Sequence, residues 1–197
     1  VLDCGCGGGA NIKRLLKRCP KGIVKGIDYS EVSVEKARKL NAAAVNEGRC
    51  VVWQGSVERI IFASDWFDAV TAFETVYFWP DPVNCFREVR RVLKPGGTFY
   101  ICSTCSGSFP QDEKWMKLVN GMTIYRDEEL KAMLKEAGFS AVESRINKKG
   151  WILVQAEKSK QATEFQRKSM SRMYRGKEIF KPLNTGWIDD HVACVRE

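Results

Sequence analysis

The opening stretch of the chain, residues 1–9, constrains the fold most. It runs Val-Leu-Asp-Cys-Gly-Cys-Gly-Gly-Gly, a short apolar strand that breaks into a glycine-rich turn. The next residues place apolar side chains at helical spacing, at Ile12, Leu15, Leu16 and Cys19. Glycines let a backbone come close to a ligand, and a helix N-terminus offers free N–H groups there. The stretch therefore predicts the strand, turn and helix that open a nucleotide-binding α/β unit.

Two interpretations of the glycine turn are open. Gly5 and Gly7 followed by Ala10 fit the dinucleotide fingerprint, which accepts alanine at its third position. Gly5, Gly7 and Gly9 preceded by Asp3 resemble instead the first motif of class I S-adenosylmethionine-dependent methyltransferases. A carboxylate before the turn would repel a pyrophosphate, whereas it suits a ligand that carries positive charge. Asp3 therefore favours the methyltransferase interpretation.

A second strand is predicted over residues 23–28, and it ends in an acid. Asp28 follows Gly9 by 19 residues, which in a βαβ unit places its carboxylate beside the glycine turn. There it can accept hydrogen bonds from both ribose hydroxyls of either cofactor. Tyr29 follows, and we expect its ring to lie against the adenine. Ser30 is expected to cap one helix that runs over residues 31–47.

The third strand, residues 50–54, is followed by Gly55-Ser56-Val57-Glu58. This place resembles the methyltransferase pattern Gly-Asp-Ala/Val-Glu, in which the aspartate accepts a hydrogen bond from the adenine amino group. Here Ser56 takes the aspartate position, so the resemblance implies a weaker contact. The backbone at Val57 can still bind the adenine edge.

The fourth strand, residues 67–73, begins with Phe-Asp-Ala-Val, which closely resembles the corresponding family motif. An aromatic run from Phe73 to Trp79 follows it. Ring faces attract cations, so part of this run suits a sulfonium, and the rest is expected to pack in the core. The family resemblance implies Phe73 as a cofactor contact, with Glu74 and Tyr77 as candidate catalytic groups near the transferred methyl.

The remaining pattern completes a sheet. We predict helices over residues 81–93 and 128–137, and strands over residues 98–102, 139–146 and 151–156. The short turn between the last two strands makes them an antiparallel hairpin. Residues 103–126 form an insertion on the substrate side, with an amphipathic helix whose inner stripe is Trp115, Leu118, Val119 and Met122.

The predicted fold is therefore α/β, a Rossmann-like doubly wound sheet that is mostly parallel and ends in an antiparallel β-hairpin. The resemblance to class I methyltransferases extends from Val1 to about Glu157. It implies a methyltransferase domain over residues 1–158 and leaves residues 159–197 as a basic tail. Because the first strand begins at residue 1, we expect that an N-terminal segment precedes it in the natural protein.

Composition excludes several other classes. The net charge is +8, a mild excess that permits an anionic partner without requiring one. The chain has eight cysteines and one histidine in no metal-ligand spacing, so no metal is predicted. Scattered free thiols suit a reducing cytoplasm. No apolar run is long enough for a membrane span.

The predicted function is methyl transfer from S-adenosyl-L-methionine to a small-molecule or lipid-like acceptor. The motifs typical of methyltransferases that act on nucleic-acid bases are absent after the fourth strand, so no nucleic-acid partner is expected. The chain is similar to the small-molecule group, which includes enzymes acting on quinones. Two alternatives stay open: an NAD-dependent oxidoreductase, and a non-catalytic S-adenosylmethionine-binding domain. The sequence leaves the oligomeric state open.

Overall fold

The computed structural model describes residues 1–160 of the 197-residue chain. Apart from residues 159 and 160, the tail predicted over residues 159–197 lies outside the described residues. Lys158 belongs to the packed part, since its Nζ donates to Asp65 Oδ1 at 2.7 Å and to the carbonyl of Leu93 at 2.7 Å. In residues 1–160 no helix is long and apolar enough to cross a membrane.

Seven strands and six α-helices make up this region. The strands are β1 (Leu2–Cys4), β2 (Val24–Asp28), β3 (Cys50–Gln54), β4 (Phe67–Phe73), β5 (Leu93–Ser103), β6 (Ala141–Ile146) and β7 (Ile152–Glu157). The helices are α1 (Ala10–Arg18), α2 (Glu31–Leu40), α3 (Ala42–Asn46), α4 (Pro82–Val92), α5 (Pro110–Leu118) and α6 (Asp127–Glu136). Short 3-10 turns occupy Val57–Arg59 and Val76–Phe78.

The strands form one sheet in the order β3-β2-β1-β4-β5-β7-β6. The first five strands are parallel, and β7 runs antiparallel to both β5 and β6. This confirms the predicted doubly wound sheet with a terminal hairpin. Ile152 at the start of β7 pairs with Ser103 at the end of β5. The turn between β6 and β7 therefore lies at the same sheet edge as the carboxyl ends of β1 to β5, which we call the ligand edge.

Helices cover both faces of the sheet. On one face, Leu2 and Val70 pack with Phe86 of α4 and Leu134 of α6, all completely or almost completely buried. On the other, Val24 and Val52 pack with the inner residues of α1 and α2, which are Ile12, Leu15, Leu16, Val34 and Ala37. Burial on both faces explains why residues 69–73 of β4 are all buried rather than alternating between buried and exposed.

Two predicted helices differ from the structure. The helix expected over residues 31–47 breaks at Asn41, whose φ of −110° ends α2 and whose amide bonds the glycine turn instead of continuing the helix. The insertion helix begins early, at Pro110, and ends at Leu118, because Val119 adopts an extended conformation. Its predicted inner stripe is wrong: Trp115 is 50% exposed and Leu118 is 76% exposed.

Candidate cofactor and acceptor site

The glycine turn is held by the neighbouring strand. The N–H groups of Gly5 and Cys6 both donate to the carbonyl of Ile27, at 2.8 and 3.0 Å. Gly5, Gly7 and Gly9 have φ values of 72°, 51° and 84°, a left-handed conformation that side chains rarely adopt. The turn therefore needs glycine at all three positions for its backbone conformation alone.

The space around the three glycines differs. A Cβ on Gly5 would overlap the side chain of Thr75, whereas a Cβ on Gly7 would meet no atom within 4 Å. A Cβ on Gly9 would lie 2.8 Å from Ala37 of α2 and 2.7 Å from the amide nitrogen of Asn41. Gly9 therefore lets α2 pack directly on the turn, while Gly7 faces open space.

Asp28 joins the turn to the start of α2. Its Oδ2 accepts a hydrogen bond from the Gly7 N–H at 2.9 Å, and its Oδ1 accepts one from the Ser30 N–H at 3.0 Å. Each carboxylate oxygen has a second lone pair, so both can accept a further hydrogen bond. The carboxylate is buried to 8% exposure yet lines a cavity, which leaves it oriented and accessible to a ligand.

Asp3 lies deeper, at 1% exposure. Its Oδ1 accepts a hydrogen bond from the Thr71 hydroxyl at 2.8 Å, and its Oδ2 is buried with no hydrogen-bond partner. Burial raises the pKa of Asp3 to about 7, and the nearby Asp28 adds to the rise, while the Thr71 hydroxyl opposes it. A buried acceptor without a partner is costly, so this oxygen is a place for a positive or hydrogen-donating ligand group.

A cavity of about 470 Å³ opens at the ligand edge beside these residues. Five predicted cofactor residues line it: Gly5, Asp28, Tyr29, Ser56 and Val57. The remaining lining residues include Thr75, Phe78 and Trp79 from the segment after β4. The volume is within the range of small-molecule sites, which bind with a mostly apolar lining and a few placed polar groups.

The other predicted residues lie outside the cavity lining. Gly9 packs under α2, and Phe73 is buried in the core between the sheet and α1. Asp3 is buried in β1 before the turn, and Gly7, within the turn, contacts the site through its hydrogen bond to Asp28. Glu74 and Tyr77 are also absent from the lining.

Ser56 is engaged locally. Its hydroxyl donates to Glu58 Oε2 at 3.0 Å and accepts from the Glu58 N–H at 3.2 Å, which caps the short 3-10 turn. Ser56 stands where the family pattern has an aspartate. The Glu58 carboxylate partly replaces that aspartate, because it also lines the cavity. Tyr29 is 79% exposed, so its ring is free to stack on a ligand.

Glu74 and Tyr77 form a hydrogen-bonded clamp with Thr104, the residue just after β5. Glu74 Oε1 accepts from the Thr104 N–H at 2.7 Å, and Oε2 accepts from the Thr104 hydroxyl at 2.9 Å and the Tyr77 hydroxyl at 3.1 Å. The Tyr77 hydroxyl accepts in turn from the Cys105 N–H at 3.1 Å. Glu74 holds a left-handed φ of 55°, a strained conformation for a non-glycine residue.

The electrostatics of the clamp favour a positioning role. Burial raises the pKa of Glu74, and burial followed by the charge of Glu74 raises the pKa of Tyr77 far above its usual value. Tyr77 therefore stays neutral and acts as a donor. Both Glu74 oxygens accept hydrogen bonds from protein groups, so these contacts link the loops after β4 and β5. A catalytic role for either residue stays a prediction.

Sequence reasoning missed three residues that shape this edge. Asn41 donates from Nδ2 to the Gly9 carbonyl at 3.0 Å and to the Ala37 carbonyl at 2.9 Å. Thr75 packs on Gly5 and accepts from Trp79 Nε1 at 3.4 Å, and Thr104 completes the clamp. An asparagine inside a predicted helix was a usable signal for Asn41, since its side chain competes with helical hydrogen bonds. No spacing pointed to Thr75 or Thr104.

Comparison with known proteins identifies the family. A family model described as a methyltransferase domain matches residues 2–101, which is half of the chain. The chain therefore belongs to the methyltransferase domain family. This membership implies S-adenosylmethionine as the cofactor and removes the NAD-dependent oxidoreductase interpretation. The residues present fit that cofactor: the unpartnered Asp3 oxygen suits its positive charge, and Asp28 suits its ribose.

Three relatives define the similarity. Cycloartenol-C-24-methyltransferase 1 of Oryza sativa subsp. japonica is 30% identical over 72% of this chain. The chloroplastic 2-methyl-6-phytyl-1,4-hydroquinone methyltransferase 2 of the same plant is 29% identical over 72% of this chain. The chain spans only 44% and 39% of their lengths. The Haloferax volcanii protein solved with the Trm112 methyltransferase activator has the same fold, with a TM-score of 0.71, 22% identity, and coverage of 80% of this chain and 81% of its own.

Proposed function

We propose that the chain transfers a methyl group from S-adenosylmethionine to a small-molecule or lipid-like acceptor. The observation that carries this proposal is the pair of carboxylates beside the glycine turn: Asp28, which lines the cavity and is fixed by the Gly7 N–H, and the nearby Asp3 with its unpartnered buried oxygen. Acceptors for two hydroxyls and a buried site for a positive group match the ribose and the charged end of this cofactor.

Each cofactor residue has a role in the proposal. Asp28 accepts the ribose hydroxyls, and Tyr29 lies against the adenine. The Val57 backbone binds the adenine edge, with the Ser56–Glu58 pair beside it. Gly5 and Gly7 let the ligand approach the turn, and Asp3 lies toward its positive end. Gly9 and Phe73 support the site indirectly, since Gly9 packs against α2 and Phe73 lies in the core.

The cofactor supplies an activated methyl group, and the chain holds the reactants in line. Alignment alone can supply much of the rate in such a transfer, so no strong base is required. Glu74 and Tyr77 serve this alignment by holding the loop after β5 against the loop after β4. They orient the acceptor side of the cleft, and we keep them as the candidate catalytic groups near the transferred methyl.

The acceptor class follows from the cleft and from the relatives. The mouth is apolar and aromatic, with Phe78 48% exposed beside Trp79 and Pro80. The two plant relatives are named for a sterol and a prenylated hydroquinone, and we propose an acceptor of that lipid-like kind.

The seven cysteines of the described region are all free, which fits a reducing compartment such as the cytoplasm.

We place the catalytic domain at residues 1–158. Lys158 supports this boundary because it is buried and bonded to Asp65 and Leu93. The insertion over residues 103–126 is proposed as the substrate-selecting segment, since it follows β5 at the ligand edge.

The proposal is tested with cofactor labelled with tritium in its methyl group. The chain is incubated with a total lipid extract, and label is counted in the organic and aqueous phases. We expect label in the organic phase for the wild type and at least a tenfold loss for Asp28→Ala, which removes hydrogen bonds to the ribose. A Glu47→Ala variant, exposed at the opposite edge, is the control. Wild-type label at the level of a protein-free blank would contradict methyl transfer to lipids.

A further inference from the structure

Helix α5 is unusual because almost none of it packs on the protein. Asp112 is buried, whereas every residue from Glu113 to Leu118 is exposed. A nine-residue helix is marginal in water without tertiary packing. Here Pro110 at the first turn, the Asp112 carboxylate on the Phe109 N–H and the basic Lys117 in the last turn stabilise it locally.

The exposed side of α5 is apolar and basic. Trp115 and Leu118 lie three residues apart, on one face, at 50% and 76% exposure, and Lys114 lies on that same face. Met116 adds a further side chain at 39% exposure. Large exposed apolar side chains on a preformed helix are typical of an interaction surface rather than of a core.

The turn between β6 and β7 extends this surface. A Cβ on Gly150 would lie 2.6 Å from the ring of Phe109, so the turn touches the start of α5. The turn carries Lys148 and Lys149, both exposed, and β6 ends in Ile146 at 40% exposure. Together α5 and the turn expose four lysines against one acidic residue, Glu113.

We propose that α5 and the β6–β7 turn form a docking surface for an anionic phospholipid bilayer. Tryptophan and leucine flanked by lysines are the composition that holds a helix in the membrane interface. Each lysine near an anionic surface adds attraction, which the exposed Glu113 and the buried Asp112 cancel only in part. The β6–β7 turn lies at the ligand edge, where the cleft also opens, so a bilayer bound there holds a lipid-like acceptor on the same side as the cleft; this last step rests on the proposed function.

The apolar part is tested by vesicle co-sedimentation of the full chain. Vesicles contain phosphatidylcholine with about one third phosphatidylserine, or phosphatidylcholine alone. The double variant Trp115→Ala/Leu118→Ala should lower the partition coefficient on anionic vesicles about tenfold, since two large side chains lose their burial. The matched control Ile23→Ala/Trp66→Ala removes one tryptophan and one branched aliphatic side chain from the opposite sheet edge, where Ile23 is 51% and Trp66 is 40% exposed, and should leave binding unchanged.

The basic part is tested by charge reversal. Lys148→Glu/Lys149→Glu should weaken binding to anionic vesicles about 25-fold or more, at roughly fivefold for each lysine removed. Lys17→Glu/Lys21→Glu makes the same change of net charge at exposed positions near the opposite edge and should have a much smaller effect. If the two double variants weaken vesicle binding equally, the attraction depends only on the net charge of the protein. That result would overturn the proposed surface.

Other outcomes are equally decisive. An absence of wild-type binding overturns the proposal, and so does full binding by the Trp115/Leu118 variant, which would move the contact to another part such as residues 161–197. A wild-type dimer in gel filtration that this variant converts to a monomer would assign the surface to a second copy of the chain. Cofactor affinity is measured in the same preparations: vesicle binding without it would sink the proposed function and leave the docking surface standing.

Discussion

The two halves of the ligand edge are built in different ways. The half that we propose for the cofactor, residues 1–60, is held largely by backbone N–H groups: Gly5 and Cys6 donate to the Ile27 carbonyl, and Gly7 donates to the Asp28 carboxylate. The half that we propose for the acceptor consists of the segments after β4 and β5, residues 74–81 and 104–126. It is held by the side chains of the Glu74 clamp and includes the solvent-exposed α5. Backbone contacts allow few substitutions, whereas a side-chain clamp and an exposed helix allow many.

This difference between the two halves indicates where acceptor specificity can change in this fold. The cofactor half presents a fixed arrangement of N–H groups and carboxylates, which one cofactor satisfies. The acceptor half is a surface of loops and a short helix on a rigid scaffold, where new acceptors can be accommodated without disturbing the sheet. Variants that separate cofactor affinity from acceptor turnover test this contrast directly.

The largest effect is expected from Gly9→Ala. The new Cβ would need a left-handed conformation and would lie 2.8 Å from Ala37. We expect the free energy of unfolding to fall by about 3 kcal/mol or more, measured by urea denaturation. Gly48→Ala is the matched control, with a φ of 71° and no neighbour within 4 Å, and should cost only about 1 kcal/mol. Equal losses of unfolding free energy in the Gly9→Ala and Gly48→Ala variants would mean that close packing of α2 against the turn does not contribute to the effect.

Asp3→Asn should produce opposite effects on stability and binding. At pH 8 Asp3 is a buried carboxylate with an unpartnered oxygen, so the variant should raise the free energy of unfolding of the cofactor-free protein by roughly 1–3 kcal/mol. At pH 5, where Asp3 is protonated, we expect almost no gain. Cofactor affinity should fall at both pH values. A variant that binds as tightly as the wild type would remove Asp3 from the site.

The sign of the pH dependence follows from the raised pKa. Folding raises the pKa of Asp3 from 3.8 to about 7, so the folded state keeps a proton that the unfolded state releases. The contribution of Asp3 to stability is therefore greatest below pH 4 and is lost as the pH rises toward 7. A positive ligand group favours the carboxylate, so cofactor affinity should rise over the same range in calorimetry.

A moderate effect is expected at Glu74, on acceptor turnover only. Glu74→Ala breaks three hydrogen bonds, so the methyl-transfer rate should fall about tenfold while cofactor affinity stays within a factor of about two. Glu74→Gln keeps the shape and can rebuild most of these bonds, and should retain most of the rate. Equal inactivation of the glutamine and alanine variants would show that the carboxylate itself takes part in the chemistry.

The smallest effect is expected from Ser56→Asp, which restores the aspartate of the family pattern. The new carboxylate lies close to Glu58, so repulsion offsets part of the added contact to adenine. We expect cofactor affinity to rise only about two- to fivefold in calorimetry, the scale of one partly exposed hydrogen bond. A loss of affinity would show that the Ser56–Glu58 pair already performs this contact.

The cofactor half was largely predictable from sequence, and the acceptor half was not. Glycine spacing and the acid at the end of β2 depend on local backbone geometry, which a sequence pattern carries. The Glu74–Thr104 contact joins residues 30 positions apart, and no periodicity encodes it. The stripe from Trp115 to Met122 has helical spacing, yet the extended conformation of Val119 ends the helix and leaves Trp115 exposed.

Isothermal titration calorimetry of S-adenosylmethionine and NAD against the wild type and Asp28→Ala tests the central claim most directly. We predict that the wild type binds S-adenosylmethionine and not NAD. Asp28→Ala should lose about 1.5–3 kcal/mol of binding free energy, the scale of hydrogen bonds to a charged group. Tighter binding of NAD, or an Asp28→Ala variant with wild-type affinity for S-adenosylmethionine, would contradict the assignment of this cleft.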